Sequence, residues 1–583
     1  MLKTVSTLAA ASLVVAACNH GSRGAANPAP ATTPARVAVA FPPGWTVGED
    51  EAPTVAPNGM VASNSALASE AGVEIMLRGG NAVDAAVATG FALAVTFPQA
   101  GNIGGGGFMV IHMADGRTAA IDYREMAPLA ATRNMYVDSS GKLTDRSRIG
   151  ALAAGVPGAV AGMSEALQKY GTMTLAQVME PAIRLARDGF VVDDALAATI
   201  AGSAKLIGPY EGAAVFLPGG KPLAAGTRLV QPALARTLTL IAQRGPAGFY
   251  TGEVADSIAA EQRREGGIIT QRYLAGYRAA WREPLRGTYR GYTLLAMPPS
   301  SSGGVAAIEA LNILEKWPKL PPFGSAAYDQ AVTEAFRRAF IDRNTRLGDP
   351  AFVQMPIDRL TSKAYADSLW RTITPGRASR SPVFTATRKE STQTTHYSVV
   401  DGKGNAVSTT TTLNGYFGGG AYVGGAGFFL NNEMDDFAAQ PGTPNMFGLV
   451  QGEANAIQPG KRMLSSMTPS ILLDPAGKVL LVAGAAGGPT ITTATVQLVL
   501  NVVDNRMGLH DAMSAPRLHE QAWPDRLTYE EGGLYPGVAD SLRAMGYELS
   551  PVGHLANANA VMRVRDGWAG MHEPRSSGGA VGY

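Results

Sequence analysis

The periodicity of the chain changes at residue 394, and no other feature constrains the fold as much. Upstream, apolar residues recur at helical spacing: Leu234, Leu238 and Ile241 share one face, and Gly245 ends the run. The same reading predicts helices over 63–78, 160–170, 175–188, 234–243, 254–264, 306–315 and 328–340, and a strand over 290–297. Asn81 is placed to cap a further Ala-rich helix, with Asp84 in its first turn. Residues 374–393 are polar, carry no sustained apolar period and read as an exposed loop. From Thr394 the pattern turns to strands: 397–400 and 406–413 flank Asp401-Gly402-Lys403-Gly404-Asn405, a strong hairpin turn. Helix-rich chain followed by strand-rich chain predicts layered α+β packing, with no internal repeat.

Charge narrows the function. With 49 Lys+Arg against 47 Asp+Glu the net charge is +2, which argues against a nucleic-acid binder. Only 16% of residues are charged, against roughly 25% in average proteins, and 69 are glycine. Such a chain buries much of its surface and relies on tight turns.

The first residues have the shape of an export signal. Lys3 precedes the apolar run 8–17, which is far short of the ~20 residues needed to cross a bilayer. It ends Val15-Ala16-Ala17-Cys18, small residues before a cysteine, and resembles the bacterial lipoprotein lipobox. That resemblance implies a signal peptide over 1–17, lipid on Cys18 and, with Asn19 next, an outer-membrane address facing the periplasm. The alternative is an ordinary cleaved signal with an incidental cysteine. Cys18 is the sole cysteine, so no internal disulfide can form. Residues 18–45, rich in Ala, Pro and Thr, read as a tether.

The available chemistry is narrow. The seven histidines form no HExxH or other compact ligand motif, so neither a metal nor another cofactor is expected. The glycine-rich stretch 101–107 lies between a helix and a strand, the wrong order for a phosphate cradle. No GxSxG elbow is present, and the only cysteine lies in the signal. Threonine remains, in Thr394-Thr395-His396-Tyr397-Ser398. A threonine hydroxyl alone is a poor nucleophile. A cut between Gln393 and Thr394 would give Thr394 a free α-amine with a pKa of about 7.7–8.0, a base on the same residue. The bland reading is a Thr-rich strand start.

The surrounding motifs favour the chemical reading. The stretches GGNAVDAAVATGFALAVTFPQAGNIGGGGFMV, IDYREMAP, YGTMTLAQVMEPAIRLARDGF, MPPSSSGG, TTHYSVVDGKGNAV, TLNGYFG, LNNEMDDF, PNMFGLV, KRMLSSMTPSI and AGGP resemble, in order, the γ-glutamyltranspeptidase (glutathione hydrolase) family of N-terminal nucleophile hydrolases. The resemblance runs from about Gly59 to Tyr583. It implies a four-layer αββα sandwich built jointly by two autoproteolytic fragments, a large subunit 46–393 and a small subunit 394–583, held as a heterodimer. It further implies a γ-glutamyl group passed from glutathione or other γ-glutamyl compounds, through a Thr394 ester, to water, amino acids or dipeptides.

The family's residue roles carry over by motif. Thr394 is implied as processing residue and nucleophile, cut after Gln393, with Thr412 orienting it. Arg124, Ser465 and Ser466 match the α-carboxylate ligands, and a guanidinium fork suits a carboxylate. Asn414, Glu433 and Asp436 match the α-amine acceptors. Gly487 and Gly488 match the oxyanion hole. Phe447 lies in 441–452, which resembles the lid. Two positions depart from some bacterial members: Glu433 replaces Gln, and Phe447 replaces Tyr, which leaves the latch of the lid open. Asp435 reads as structural. Two rival readings stand beside this one: a cephalosporin (glutaryl) acylase of the same superfamily, and a catalytically silent surface lipoprotein that binds peptides.

Overall fold

The computed structural model describes residues 36–382 and 393–583. The signal 1–17, Cys18, most of the tether and the loop residues 383–392 lie outside the described residues.

The hairpin at Asp401–Asn405 organises the centre. Asp401 Oδ1 accepts the N–H groups of Lys403 (2.9 Å) and Asn405 (3.0 Å), closing the turn. The strands it joins, Thr395–Val400 and Ala406–Thr412, pair antiparallel with Thr395 opposite Thr411. Both are buried along their whole length. Tyr397, Val399 and Val407 point to a core shared with the helices Ala66–Leu77 and Ala82–Thr96. The intervening serines face a second sheet, where their hydroxyls meet carbonyls: Ser398 Oγ donates to Asn559 O (3.0 Å) and Ser408 Oγ to Ala483 O (3.1 Å). Hydroxyls inside a dry interface need such partners, and here the opposite sheet supplies them.

Among the described residues each of the two stacked central sheets has seven antiparallel strands. The first runs Gly579–Gly582, Met60–Ser63, Thr395–Val400, Ala406–Thr412, Gly106–His112, Thr118–Asp122, Ala280–Arg282. The second runs Thr54–Ala56, Gly567–Met571, Asn557–Val564, Val479–Ala486, Ser470–Leu473, Tyr292–Ala296, Leu285–Tyr289. In both, strands from before and after residue 394 lie side by side. The helices Gly303–Leu314 and Thr490–Val503 cover the outer face of the second sheet. The order is therefore helix, sheet, sheet, helix: the expected αββα sandwich.

The expected helices form, with shifted ends. The Ala-rich helix Ala82–Thr96 is buried throughout, and Asn81 caps it through Val83 N (2.8 Å) and Asp84 N (3.1 Å). The largest difference is Ala326–Arg346, 21 residues against the expected 328–340. Its extra turns carry Arg343 and Arg346, whose charges hide the apolar period that sequence patterning relies on.

Asp329 in that helix is buried. Burial alone pushes its carboxyl from 3.8 up to about 7. The folded state therefore holds a proton that the unfolded chain has released, and stability from this group falls as pH rises from about 4 to about 7. Asp329→Asn is expected to be more stable than the wild type by about 2–4 kcal/mol near pH 8, with little gain near pH 4. Urea unfolding at the two pH values measures this; a gain that shrinks with rising pH contradicts it.

Candidate active site

The hairpin register places Thr394. With Thr395 opposite Thr411, the next pair outward is Thr394 and Thr412, and their Oγ1 atoms stand 3.5 Å apart. Thr394 Oγ1 also donates to the carbonyl oxygen of Gln393, the residue it follows. Thr412 Oγ1 accepts from Asn414 N (2.7 Å), with Asn414 in the left-handed region at φ 71. Gln393 Oε1 accepts from Tyr416 N.

His396, two residues on, offers no base. Burial pushes its imidazole down to about 3, so it stays neutral. Its ring nitrogens meet Thr410 Oγ1 (2.9 Å) and Ser398 Oγ (3.1 Å) between the sheets.

Thr394 opens onto a cavity of about 290 Å³. One wall holds Arg124, Glu433 and Asp436, all buried. Arg124 Nη1 pairs with Glu433 and Nη2 with Asp436, while Nε donates to Met463 O (3.3 Å). Glu125 stands 3.6 Å from the same guanidinium. Burial would depress Arg124, but Glu433, Asp436 and Glu125 overcome it and hold it firmly protonated. Burial raises the carboxyls of Glu433 and Asp436, against the pull of Arg124, and takes Glu125 up to about 7. One guanidinium cannot neutralise three buried carboxylates, and the surplus negative charge adds to the rise. Glu433 Oε2 is buried with no hydrogen-bond partner among the described residues. Asn414 Nδ2 donates to Asn432 O (3.0 Å).

Ser465, Ser466 and Gly488 line the same cavity. The serines are clamped by the segment that opens helix Gly303–Leu314: Ser465 N donates to Ser300 O (3.0 Å), and Ser302 N donates to Ser465 O (2.8 Å). The MPPSSSGG stretch thus acquires a structural task that its sequence did not disclose. Gly487 and Gly488 have φ of 135 and 59 and directly precede helix Thr490–Val503. A Cβ on Gly488 would stand 2.6 Å from Phe447 Cδ1, and one on Gly487 would stand 2.5 Å from Thr490 Oγ1. Glycine is required there by both conformation and space.

Phe447 and Leu449 also line the cavity, and Phe447 packs with Phe340 and Trp523. No phenol is needed to hold this segment down. Asp435 Oδ2 accepts from Met446 N (2.8 Å), and Asn445 Nδ2 donates to Asp436 Oδ1 (3.3 Å). Asp435 also accepts from Ser147 Oγ (2.7 Å), in keeping with its reading as structural.

The structure thus gathers Arg124, Thr394, Thr412, Asn414, Glu433, Asp436, Phe447, Ser465, Ser466 and Gly488 around one cavity. Gly487 adjoins it in the chain, and Cys18 lies outside the described residues. Sequence reasoning missed Arg343, which lines the same cavity from helix Ala326–Arg346. Nothing in its spacing separates it from Arg337, Arg338 or Arg346 on that helix. Among the described residues no group of three or more His, Cys, Asp or Glu is arranged to hold a metal ion, and no helix is long and apolar enough to cross a membrane.

The family model described as Gamma-glutamyltranspeptidase matches residues 68–583. The chain belongs to the γ-glutamyltranspeptidase family. It is 48% identical over 532 residues to the glutathione hydrolase proenzyme of Escherichia coli K12, covering 90% of this chain and 91% of that one. Another relative in the same length range is the Acylase ACY 1 proenzyme of Pseudomonas sp. SE83, 41% identical over 510 residues, covering 86% of this chain and 88% of that one. The crystal structure of cephalosporin acylase from Bacillus halodurans superposes with a TM-score of 0.80 at 28% identity, covering 91% of this chain and 97% of that one. γ-Glutamyltranspeptidases and acylases thus share this sandwich, and what separates their substrates must lie in the cavity walls.

Proposed function

We propose that this member of the family is an exported, self-processing γ-glutamyltransferase and glutathione hydrolase. The observation that carries the reading is the cavity beside Thr394, which gathers the guanidinium groups of Arg124 and Arg343, the hydroxyls of Ser465 and Ser466, and the carboxyls of Glu433 and Asp436, with Glu433 Oε2 unpartnered among the described residues. A γ-glutamyl head group is a zwitterion, and this arrangement complements both of its charges.

Processing comes first. Thr394 Oγ1 adds to the Gln393 carbonyl carbon and the C–N bond breaks, leaving an ester on Oγ1 and a free α-amine. Water then cleaves the ester. The fragments 46–393 and 394–583 stay together because strands from both lie adjacent in each sheet. The freed amine, with a pKa of about 7.7–8.0, takes the Oγ1 proton as Oγ1 adds to the γ-carbonyl of the donor. Thr412 Oγ1 orients the nucleophile, and backbone N–H groups of Gly487 and Gly488 receive the oxyanion. The proton passes to the departing amine, cysteinylglycine in the case of glutathione. Water, an amino acid or a dipeptide then takes the γ-glutamyl group from the Thr394 ester. Arg124, Ser465 and Ser466 hold the α-carboxylate; Asn414, Glu433 and Asp436 hold the α-amine; Phe447 covers the bound donor. No metal or organic cofactor enters any step.

Export rests on residues 1–17 and the lipobox-like run to Cys18, which give a periplasmic protein anchored by lipid to the outer membrane. A glutaryl acylase is the second reading, favoured by the acylase names among the relatives. A glutaryl group lacks the α-amine and would leave Asn414, Glu433 and Asp436 without a ligand. Turnover of γ-glutamyl and glutaryl p-nitroanilides separates the readings. The expected kcat/KM preference for the γ-glutamyl compound is about 100-fold or more, since a site built around buried polar groups rejects an analogue that leaves them unpaired. Equal or reversed preference favours the acylase, and no turnover of either leaves a binding lipoprotein.

A further inference from the structure

Arg343 is the charged cavity residue to which no role has yet been given. Its guanidinium is fully buried, yet every hydrogen-bond partner is neutral: Nε donates to Ser302 Oγ (3.2 Å), Nη1 to Asn344 Oδ1 (3.0 Å) and Gln451 Oε1 (2.9 Å), and Nη2 to Ser466 Oγ (3.1 Å). Other buried arginines face carboxylates: Arg124 meets Glu433 and Asp436, Arg337 meets Glu520 and Asp525, and Arg517 meets Glu573. No ion pair of this kind involves Arg343 among the described residues. A buried cation satisfied only by neutral groups is costly, and an anion entering the cavity relieves that cost.

The charge balance of the cavity says which anion. Arg124 is already engaged by Glu433 and Asp436. A substrate carboxylate placed against that cluster alone would meet one guanidinium and two carboxylates, a net repulsive environment. Arg343 restores neutrality. It also reaches the carboxylate side of the cavity, because its Nη2 hydrogen bond makes Ser466 Oγ an acceptor and leaves the serine hydrogen free to donate.

We infer that Arg343, acting beside and through Ser466, supplies the second positive charge that selects donors carrying an α-carboxylate. This rests on the γ-glutamyl reading above and adds a specificity-determining residue to it. Gln451 ties the same guanidinium to the lid, since Gln451 Oε1 accepts from Arg343 and its Nε2 donates to Asp436 O (3.1 Å).

The test compares γ-glutamyl p-nitroanilide with 4-aminobutyryl p-nitroanilide, which keeps the amine and lacks the α-carboxylate. Where the second compound turns over too slowly, its inhibition constant replaces KM. Processed wild type and the variants Arg343→Gln and Arg343→Lys are measured, with fragment formation reporting correct folding. Arg343→Gln is expected to raise KM for the γ-glutamyl compound about 30-fold or more, to change kcat far less, and to leave the 4-aminobutyryl constant within about threefold. Arg343→Lys, keeping the charge without the fork, recovers part of the loss. Proportional changes for both compounds, or no change for either, overturn the inference. If Arg343→Gln stays uncut, Arg343→Lys decides alone: a rise confined to the γ-glutamyl compound supports the inference and an equal rise overturns it. A wild type inactive on the γ-glutamyl compound would instead remove the parent reading.

Discussion

Thr394→Ala is expected to purify as one uncut chain with no γ-glutamyl turnover. The residue serves two reactions with one atom. Its Oγ1 lies against the Gln393 carbonyl oxygen, so the attack that severs the chain begins from a contact already made. Without the hydroxyl there is no N-to-O acyl shift, no free α-amine and no ester-forming nucleophile. Loss of a comparable single nucleophile costs roughly 10⁶-fold in rate. The fold is expected to survive. Thr394 sits at the rim of strand Thr395–Val400, whose pairing uses backbone groups, and the lost contacts are the hydrogen bond to Gln393 O and the 3.5 Å approach to Thr412. Intact mass after prolonged incubation, with N-terminal sequencing of the wild type, measures this. Wild type must yield a chain beginning at Thr394. A Thr394→Ala protein that splits at the wild-type rate would falsify the assignment.

The second large effect belongs to Arg124. Arg124→Gln removes the cation that Glu433 and Asp436 both grip and that Glu125 approaches at 3.6 Å. Removing one side of a buried ion pair costs about 3–5 kcal/mol because the remaining charge cannot be rehydrated. The carboxyls, already raised by burial, rise further once Arg124 no longer opposes that rise. The sign follows. Protonated carboxyls need no counter-charge, so the deficit of the variant is largest near pH 8 and narrows as pH falls through their raised values. Denaturant unfolding at about pH 8 and about pH 5.5 reads this directly. Donor kcat/KM is expected to fall about 10³-fold, since the α-carboxylate loses its fork and the amine acceptors lose their charge. Unchanged stability, or a deficit that widens on acidification, would contradict the account of this wall.

The readable part of the site is unevenly distributed. Thr394, Thr412 and Asn414 were legible because they stand in the contiguous motifs TTHYS and TLN that resemble the family; the structure adds the reason they meet, since the turn at Asp401–Asn405 sets the pairing and the pairing sets the 3.5 Å approach. Gly487 and Gly488 were legible through the family motif AGGP, and the structure supplies the reason for glycine there, a positive φ at both. The capping of Ala82–Thr96 by Asn81 was legible through a local rule with a local cause. The anchoring of the segment 441–452 beside the cavity was not. It uses Asn445 and Met446 against Asp436 and Asp435, and a loop's closing contacts depend on where its base is anchored.

Arg343 marks the boundary most clearly. The sequence alone disclosed the layered α+β packing, which rests on short-range periodicity, and the motifs whose family resemblance implied the nucleophile and the ligands of the head group. It could not single out one arginine among four on a long polar helix. That distinction depends on Glu520 and Asp525, which arrive from far along the chain to neutralise Arg337, and on Ser302 and Ser466, which meet Arg343 without neutralising it. Whether a buried charge is paired is a property of three-dimensional neighbours, and the electrostatic energy follows distance in space rather than separation in sequence.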